Sequence, residues 1–318
     1  MFVAGLLHDI GHGAFSHALE HSIVNGISHE EISLKFMKKL NEEFGGKLCL
    51  AIEIFEGKYK RRFFNQLISS QLDIDRLDYL KRDSFYTGVK EGNISSDRLI
   101  AMMTVFNNEL VIEKKGIYSV ENFLIARRLM YWQVYLHKTG LVAENMLVKI
   151  LQRAKELATQ NVALPATKTM QYFLYNQITK ENFTDETLAV FSKLDDYDVL
   201  SAIKEWTNHS DKVLSELSNM IMNRNLLKIN IQDQKFTKEE VDKQVEKLIS
   251  KFTIEPEFTH YFVFEGTVSN QAYNTSNPIK ILSKNNKTVD IASASDQLNL
   301  QALTKPVEKF YLCYPKKM

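Results

Sequence analysis

The sequence predicts a mostly α-helical protein with a smaller α+β region near its carboxyl end. Its 318 residues include only 5 Pro and 12 Gly, which is typical of long helices separated by few turns. Residues 1 to about 225 have the pattern of successive helices, whereas later segments alternate apolar and polar residues as strands do. A chain of this length forms one large domain or two modest ones.

The individual helices are predicted from their periodicity and from the polar residues near several of their starts. In the first half of the chain they span residues 1–24, 28–43, 47–56, 60–82, 95–106 and 119–158. A small hairpin is expected at 108–120, where Lys-Lys-Gly lies between β-favouring residues. Further helices are expected at 165–180, 185–192, 197–208, 211–226 and 237–252.

Strand patterns characterise the last part of the chain. We predict strands at 258–268, 278–291 and 308–314, with Lys-Asn-Asn-Lys forming a turn inside the second segment. The chain is therefore expected to divide into a helical domain at 1–160, a helical extension at 161–225 and an α+β region at 226–318. No linker marks the boundary near residue 225.

Charge and composition exclude several classes of protein. Lys and Arg number 40 against 39 Asp and Glu, so the net charge of +1 gives no bulk attraction to nucleic acid or membranes. No apolar run approaches the length of a spanning helix, and no signal peptide is visible. Cys49 and Cys313 are too few for a disulfide framework. We expect a cytoplasmic protein without membrane contact, for which nucleic acid is an unlikely partner.

Histidines are concentrated at the amino end, in the segment LLHDIGHGAFSH. Five of the eight His lie within the first 30 residues, and His8 is followed directly by Asp9. Imidazole and carboxylate ligands together suit Mn, Fe, Zn or Ni better than calcium. Gly11 and Gly13 each cost a helix about 1 kcal/mol relative to Ala, so we expect close backbone approach there. Chance clustering of surface histidines is the alternative.

Residues 69–83, SSQLDIDRLDYLKRD, form the second informative segment. On a helix, Ile74, Leu77 and Leu80 fall on an apolar side. The opposite face collects Asp75, Arg76, Tyr79, Arg82 and Asp83. An amphipathic helix with solvated ion pairs explains this pattern. The functional alternative is that Asp75 completes a metal site, with Tyr79 and a cation beside it to meet a phosphate.

A third segment, IARRLMYWQVYLHKTG, repeats this mixture of cations and phenols at residues 125–140. Arg127, Tyr131, Tyr135 and Lys138 share one helical face. Cations together with Tyr hydroxyls suit anion binding. An ordinary helix that is partly core and partly surface remains the alternative.

Together these segments resemble the HD-domain deoxynucleotide triphosphohydrolases, the family of the bacterial dGTPases and of the SAM- and HD-domain dNTPase of animals. The similarity runs through LLHDIGHGAFSH, ISHEE, LDIDRLDYLKRD and YLHK, and continues into NRNLLK and the ending KFYLCYPKK. It therefore covers nearly the whole chain. The combination is specific, whereas HDxGH alone indicates only the wider HD superfamily.

The resemblance implies an HD-type helical fold, a divalent metal ion, a homo-oligomer and hydrolysis of a dNTP to deoxynucleoside and triphosphate. The metal, whose identity (Mn, Fe, Zn, Ni or Mg) is not determined, would be held by His8, Asp9 and Asp75. The residues that touch phosphates or move protons would be His12, His17 and His29, with Glu20 orienting His29. The substrate-binding residues would be Arg76, Tyr79, Asp83, Arg127, Tyr131, Tyr135, His137 and Lys138. Arg76 stands where Lys is common in the family, and Glu20 where many relatives have Asp.

One departure from the family pattern concerns the first metal ligand. In the family that His comes from a helix preceding the HD pair, whereas only seven residues precede His8 here and none is His. We therefore expect an amino-terminally truncated chain that is nearly inactive on dNTPs. Two other interpretations remain open: an HD phosphohydrolase acting on another nucleotide, and a non-catalytic nucleotide-binding oligomer.

Overall fold

The computed structural model describes residues 1–252, 254–296 and 299–316. The chain forms two compact units that interleave along the sequence. The first unit comprises Met1–His8, Met37–His137 and Ser269–Glu308. The second comprises Asp9–Phe36, Lys138–Val268 and the segment from Lys309. The division into three consecutive regions, with boundaries near residues 160 and 225, stays a prediction.

The described residues confirm a mostly α-helical fold with small sheets. The helices are α1 Phe2–Leu7, α2 Glu20–Ile23, α3 His29–Glu43, α4 Cys49–Phe55, α5 Phe63–Gln66, α6 Ile74–Thr87, α7 Ser96–Met102, α8 Ile117–Met130, α9 Lys138–Thr159, α10 Lys168–Tyr175, α11 Asp185–Phe191, α12 Asp196–Trp206, α13 Lys212–Met222, α14 Lys238–Phe252, α15 Ile291–Ala294 and α16 Asn299–Leu303. The strands are β1 Met103–Phe106, β2 Glu109–Glu113, β3 Lys228–Gln232, β4 Phe264–Asn270, β5 Lys280–Leu282, β6 Thr288–Asp290 and β7 Val307–Tyr314. In the described parts of the chain, no helix is both long and apolar enough to cross a membrane.

The first unit packs α6 and α8 with a four-stranded sheet of order β1-β2-β5-β6. Leu80 of α6 and Phe123 of α8 are fully buried in this core. The sheet joins distant parts of the chain, since β2 pairs in parallel with β5 through Ile112 and Ile281. Helix α6 ends at Gly88, whose φ of 73° gives the left-handed cap that favours glycine.

The second unit is built around the long helix α9. Met146, Ile150 and Ala154 of α9 are fully buried, and Trp206 of α12 lies in the same core. A three-stranded sheet of order β3-β7-β4 belongs to this unit, with Ile229 opposite Cys313 in its antiparallel register. Helix α3 begins in this unit after a capping box, in which Ser28 and Glu31 exchange hydrogen bonds.

Several predicted elements are wrong because tertiary contacts override local periodicity. The helix expected at 1–24 stops at Leu7, and the chain then turns, with positive φ at Phe15 and Ser16. The helix expected at 60–82 is interrupted, because Asp73 starts a new helix by capping α6. The end of the helix expected at 95–106 is strand β1 instead.

The hairpin near residue 110 exists, but its turn differs from the one predicted. Asn107 and Asn108, both with positive φ, connect β1 to β2. This is the geometry of a type I′ turn, which Asn tolerates. The Lys114–Gly116 segment is instead a short 3₁₀ turn leading into α8. The predicted turn at residues 284–287 between β5 and β6 is confirmed.

Three further corrections concern later elements. The single helix expected at 119–158 is divided by a π-helical turn at Tyr131–Tyr135. The strand expected from residue 258 begins only at Phe264, because Pro256–Tyr261 forms a 3₁₀ helix. Strand β3 follows the predicted helix 211–226 and was missed, because its alternation of polar and apolar residues extends over only five residues.

Candidate functional site

His8 and Asp75 lie together in the first unit. His8 closes helix α1, and its Nδ1 forms a hydrogen bond of 2.7 Å with the carbonyl oxygen of Gly5. Asp75 lies in the first turn of α6, and its ligand atom is within 4.8 Å of a ring nitrogen of His8. Two ligand atoms that each bind one ion at about 2.0–2.2 Å must lie within roughly 4.4 Å of each other, which is close to this limit. The pair therefore fits a divalent metal, with Nδ1–H oriented by a carbonyl and Nε2 as the ligand.

Asp9 directly follows His8 in the chain and is the first residue of the second unit. Its Oδ1 lies 3.8 Å from Nε2 of His12 in that unit. That Asp9 also ligates the metal stays a prediction from the resemblance.

A buried aspartate holds the start of α6. The Asp73 side chain accepts hydrogen bonds from the amides of Arg76 at 2.8 Å and Ser70 at 3.2 Å. It also binds the Arg76 guanidinium, which donates to the Ser70 carbonyl at 2.6 Å. The first turn, which carries Asp75, is therefore fixed by Asp73. Sequence reasoning missed this residue, although Asp is a preferred helix cap.

Three phenols, a guanidinium and a carboxylate form a cluster on and beside α6, which we call the Tyr–Arg cluster: Tyr79, Asp83, Arg127, Tyr131 and Tyr135. The Tyr135 hydroxyl donates to Oδ2 of Asp83 at 2.8 Å. The ring centroid of Tyr135 lies 5.7 Å from that of Tyr79 and 5.2 Å from that of Tyr131. The Arg127 guanidinium carbon lies 6.0 Å from the Tyr131 ring centroid. The structure thus brings together five residues that the sequence placed on two separate helical faces.

The electrostatics of the Tyr–Arg cluster suit an anion. Burial raises the pKa of Tyr79 and of Tyr135, so both phenols stay protonated and able to donate. Nε and Nη1 of Arg127 are buried and have no hydrogen-bond partner among the described residues. Buried polar groups are usually paired. Two such guanidinium donors are therefore the feature of this unit that most directly indicates a ligand with anionic oxygens.

The second unit contains a histidine cluster formed by His12, His17, His29 and Glu20. The rings of His12 and His29 stack with centroids 4.1 Å apart, and His17 lies edge-on to His12 at 4.6 Å. His17 is 73% exposed, whereas His12 and His29 are largely covered.

Glu20 forms hydrogen bonds with both the backbone and the ring of His29. Oε1 of Glu20 lies 2.8 Å from both the backbone nitrogen and ring Nδ1 of His29. Burial alone would raise the pKa of Glu20, but these hydrogen bonds outweigh it and lower the pKa to about 2. An ionised Glu20 keeps the proton of neutral His29 on Nδ1. Nε2 of His29 lies 3.3 Å from Oε1 of Glu30, a neighbour that sequence reasoning missed.

His12 has a different environment. Burial and the nearby His29 and His17 lower its pKa below the usual histidine value. Its Nδ1 is buried without a hydrogen-bond partner among the described residues. The lowered pKa favours the neutral form of His12, in which one ring nitrogen can accept a proton.

Gly11 explains how the histidines come together. Its amide donates to the Ser33 hydroxyl at 2.9 Å. A Cβ at this position would overlap the His29 carbonyl oxygen and the Ser33 amide nitrogen. The expected close backbone approach is thus confirmed at Gly11. A Cβ at Gly13 would also be crowded, 3.0 Å from the Phe191 ring.

Two predicted substrate-binding residues lie at the end of the π-helical turn. His137 belongs to the first unit, and its amide donates to the Val134 carbonyl at 3.2 Å. Lys138 is the first residue of α9 and belongs to the second unit. Their roles stay predictions, as does the proposed contact between Lys138 and the residues of the Tyr–Arg cluster.

Comparison with known proteins gives matches over most of the chain. The HD domain matches residues 1–83, and the HD associated region matches residues 94–173. The crystal structure of a phosphohydrolase from Bacteroides thetaiotaomicron superposes with a TM-score of 0.92 at 50% identity, covering 98% of this chain and 78% of that one.

Two curated relatives extend the comparison. The uncharacterized protein YwfO of Bacillus subtilis is 33% identical over 70% of this chain. That match covers 51% of YwfO, so the chain spans about half of that relative's length. The SAMHD1 homolog of Dictyostelium discoideum, named a deoxynucleoside triphosphate triphosphohydrolase, is 28% identical over 48% of this chain and 33% of its own length.

Proposed function

The chain belongs to the HD-domain phosphohydrolase family, and from that premise we propose that it hydrolyses a deoxynucleoside triphosphate to deoxynucleoside and triphosphate. The observation that carries the proposal is Arg127. Its two buried donors, which have no partner in the part of the chain that the structure describes, lie in the same unit as the His8–Asp75 pair. A metal-ligand pair and a guanidinium prepared for anionic oxygens are what a polyphosphate substrate requires.

Helix α6 links the two parts of this proposal. Asp75, Tyr79 and Asp83 follow one another at intervals of four residues, so they share one side of the helix. Asp75 belongs to the proposed metal site, and Tyr79 and Asp83 belong to the Tyr–Arg cluster. One rigid element thus sets the spacing between the metal ligand and the groups that bind the phosphates.

Arg127 would bind the triphosphate, and the Tyr79 and Tyr131 hydroxyls would donate to phosphate or sugar oxygens. Arg76 adds a second positive charge near Tyr79. A divalent metal, when bound by His8 and Asp75, would neutralise phosphate charge and lower the pKa of a water molecule. The resemblance assigns Asp9 as a further ligand.

His29 is the proposed general acid. Because the ionised Glu20 holds Nδ1–H, a protonated His29 can deliver its Nε2 proton to the departing sugar oxygen. His12, kept neutral by burial and by its imidazole neighbours, is suited to accept a proton. His17, exposed and close to both, would exchange protons with solvent.

The test is to incubate the protein with each dNTP, each NTP and each dNMP in the presence of Mn, Fe, Zn, Ni or Mg. Hydrolysis of a dNTP should release deoxynucleoside and inorganic triphosphate in equal amounts, measured by chromatography, whereas almost no product would agree with the nearly inactive chain expected from the sequence. Asp75→Asn should abolish release, whereas Asp78→Asn should not, because Asp78 is exposed and ion-paired with Arg82 at 2.7 Å. Release of orthophosphate or hydrolysis of monophosphates would indicate another nucleotide reaction. Tight dNTP binding without turnover would support a non-catalytic binder.

A further inference from the structure

Lys155 is a half-buried lysine of helix α9 that the proposed chemistry does not use. Its Nζ donates to the carbonyl oxygen of Ile23 at 3.0 Å. Burial lowers the pKa of Lys155 to about 8. Among the described residues, no carboxylate forms an ion pair with it. Covering an ammonium group without a counter-charge costs free energy, and a methionine of similar length would avoid that cost.

The carbonyl that Lys155 holds is at the end of α2. Ile23 is the last residue of this one-turn helix, and Val24 after it is extended. Carbonyl groups at a helix end have no partner within the helix. Lys155 supplies one, and it does so from α9, against which α2 packs.

The same short helix begins with Glu20, which holds both the amide and the ring of His29. Between Ile23 and His29 the chain is a loop. Asn25 is held by backbone hydrogen bonds of 3.0 Å with Ile178 and 3.1 Å with Lys180. Gly26 has a φ of 74° and open space around it. Lys155 therefore anchors the chain at Ile23, a point in the sequence between Glu20 and the His29 imidazole that Glu20 orients.

We propose that Lys155 is a positioning residue: by holding the Ile23 carbonyl, it fixes α2 on α9 and so fixes Glu20 against His29. The inference rests on the assignment of His29 as general acid in the proposed function. Because the effect passes through the acid and not through substrate contacts, kcat should respond and KM should not.

The experiment compares Lys155→Met with Lys149→Met. Lys149 lies on the same helix and burial also lowers its pKa, but it covers the rings of Tyr261 and Phe264 instead of a carbonyl. Lys155→Met should lower kcat about tenfold, since small misplacements of a catalytic group have effects of that order or larger. KM should stay within about twofold, and Tm should hold or rise. Lys149→Met should leave kcat unchanged.

Restoring the amine gives a second measurement. In a Cys49→Ser background, Lys155→Cys alkylated with 2-bromoethylamine regains a side chain of lysine length, while the buried Cys313 is protected. This treatment should recover most of the lost kcat. A fall in Tm with unchanged kcat, or no recovery after alkylation, would overturn the proposal and assign Lys155 a purely structural role.

A readout without turnover separates this inference from the proposed function. The Nδ1 proton of His29, held by Glu20, should give a slowly exchanging signal in spectra of protein labelled at histidine nitrogens. Lys155→Met should broaden or remove that signal, and Lys149→Met should preserve it. If the wild-type protein hydrolyses no nucleotide, the proposed function fails while this signal still tests the role of Lys155. An unchanged signal in Lys155→Met would refute it.

Discussion

The Tyr–Arg cluster and the histidine cluster use polar groups in opposite ways. In the Tyr–Arg cluster, the Arg127 guanidinium is buried with donors that no described residue accepts. In the histidine cluster, Glu20 accepts from His29 and lies 3.5 Å from His17, so negative charge is matched locally. This difference underlies our proposal that the Tyr–Arg cluster binds an anionic ligand and that the histidine cluster transfers protons between its own groups.

The largest expected effect tests the proton-moving side of this comparison. His29→Ala should lower kcat about 10²–10⁴-fold, the range that a general acid contributes, and leave KM nearly unchanged. Steady-state kinetics with the preferred dNTP measures both constants. A rise in KM with little loss of kcat would place His29 among the binding groups and remove the contrast between the clusters.

The next effect tests the ligand-receiving side. Arg127→Met should raise KM for a triphosphate about 10- to 100-fold, because charge-assisted hydrogen bonds contribute about 1.5–3 kcal/mol. Its Tm should not fall, since the change removes a buried cation without a described acceptor. Arg128→Gln is the control, because Arg128 is the next residue of the same helix and its guanidinium donates to the Ala302 carbonyl at 3.5 Å. A loss of Tm with unchanged KM would show that Arg127 serves the fold.

Gly11→Ala tests how strictly the histidine cluster depends on backbone approach. The added Cβ would overlap His29 and Ser33 backbone or side-chain atoms, and overpacking of this kind costs about 1–3 kcal/mol. Urea unfolding measures that loss. Gly140→Ala is the matched control, because a Cβ there meets nothing within 4 Å, and it should not destabilise the protein. Equal stability of both variants would contradict the close approach.

The smallest effect is a pH dependence of stability. The pKa of Glu20 is lowered to about 2 in the folded protein from its ordinary value of 4.5, so its contribution to stability is present above pH 4.5. It is lost as pH falls from about 4.5 towards 2. Glu20→Gln should therefore cost about 1–2 kcal/mol at pH 7 and nearly nothing at pH 2. A difference from wild type that does not change with pH would contradict the ionised Glu20–His29 interaction.

How well the sequence predicted the site depends on whether the residues of a contact lie on one helix or far apart in the sequence. Residues on the face of α6 were placed correctly because a single uninterrupted helix carries Asp75, Tyr79 and Asp83. The resemblance also identified the family that the comparisons confirm. The continuous helix at 1–24 was wrong, because the contact of Gly11 with Ser33 joins residues 22 apart and has no periodic signal.

The π-helical turn shows a second limit. Tyr131 and Tyr135 were assigned to an α-helical face, yet residues 131–135 wind more widely. Both tyrosines still belong to the Tyr–Arg cluster. The sequence therefore predicted which residues lie together, but it did not predict the π-helical backbone that carries them. Lys155 carried no signal, because a lysine in a long amphipathic helix ordinarily lies on a solvated face.

The interleaving of the two units has a consequence for synthesis on the ribosome. The first-unit sheet closes only when β5 pairs with β2, and the second-unit sheet only when β7 pairs with β3. A nascent chain that has emerged to residue 268 therefore still lacks a segment from each unit. Both sheets therefore stay incomplete until the carboxyl-terminal strands emerge, so a chaperone that shields β3 and the open edge of β2 would have a long period in which to act.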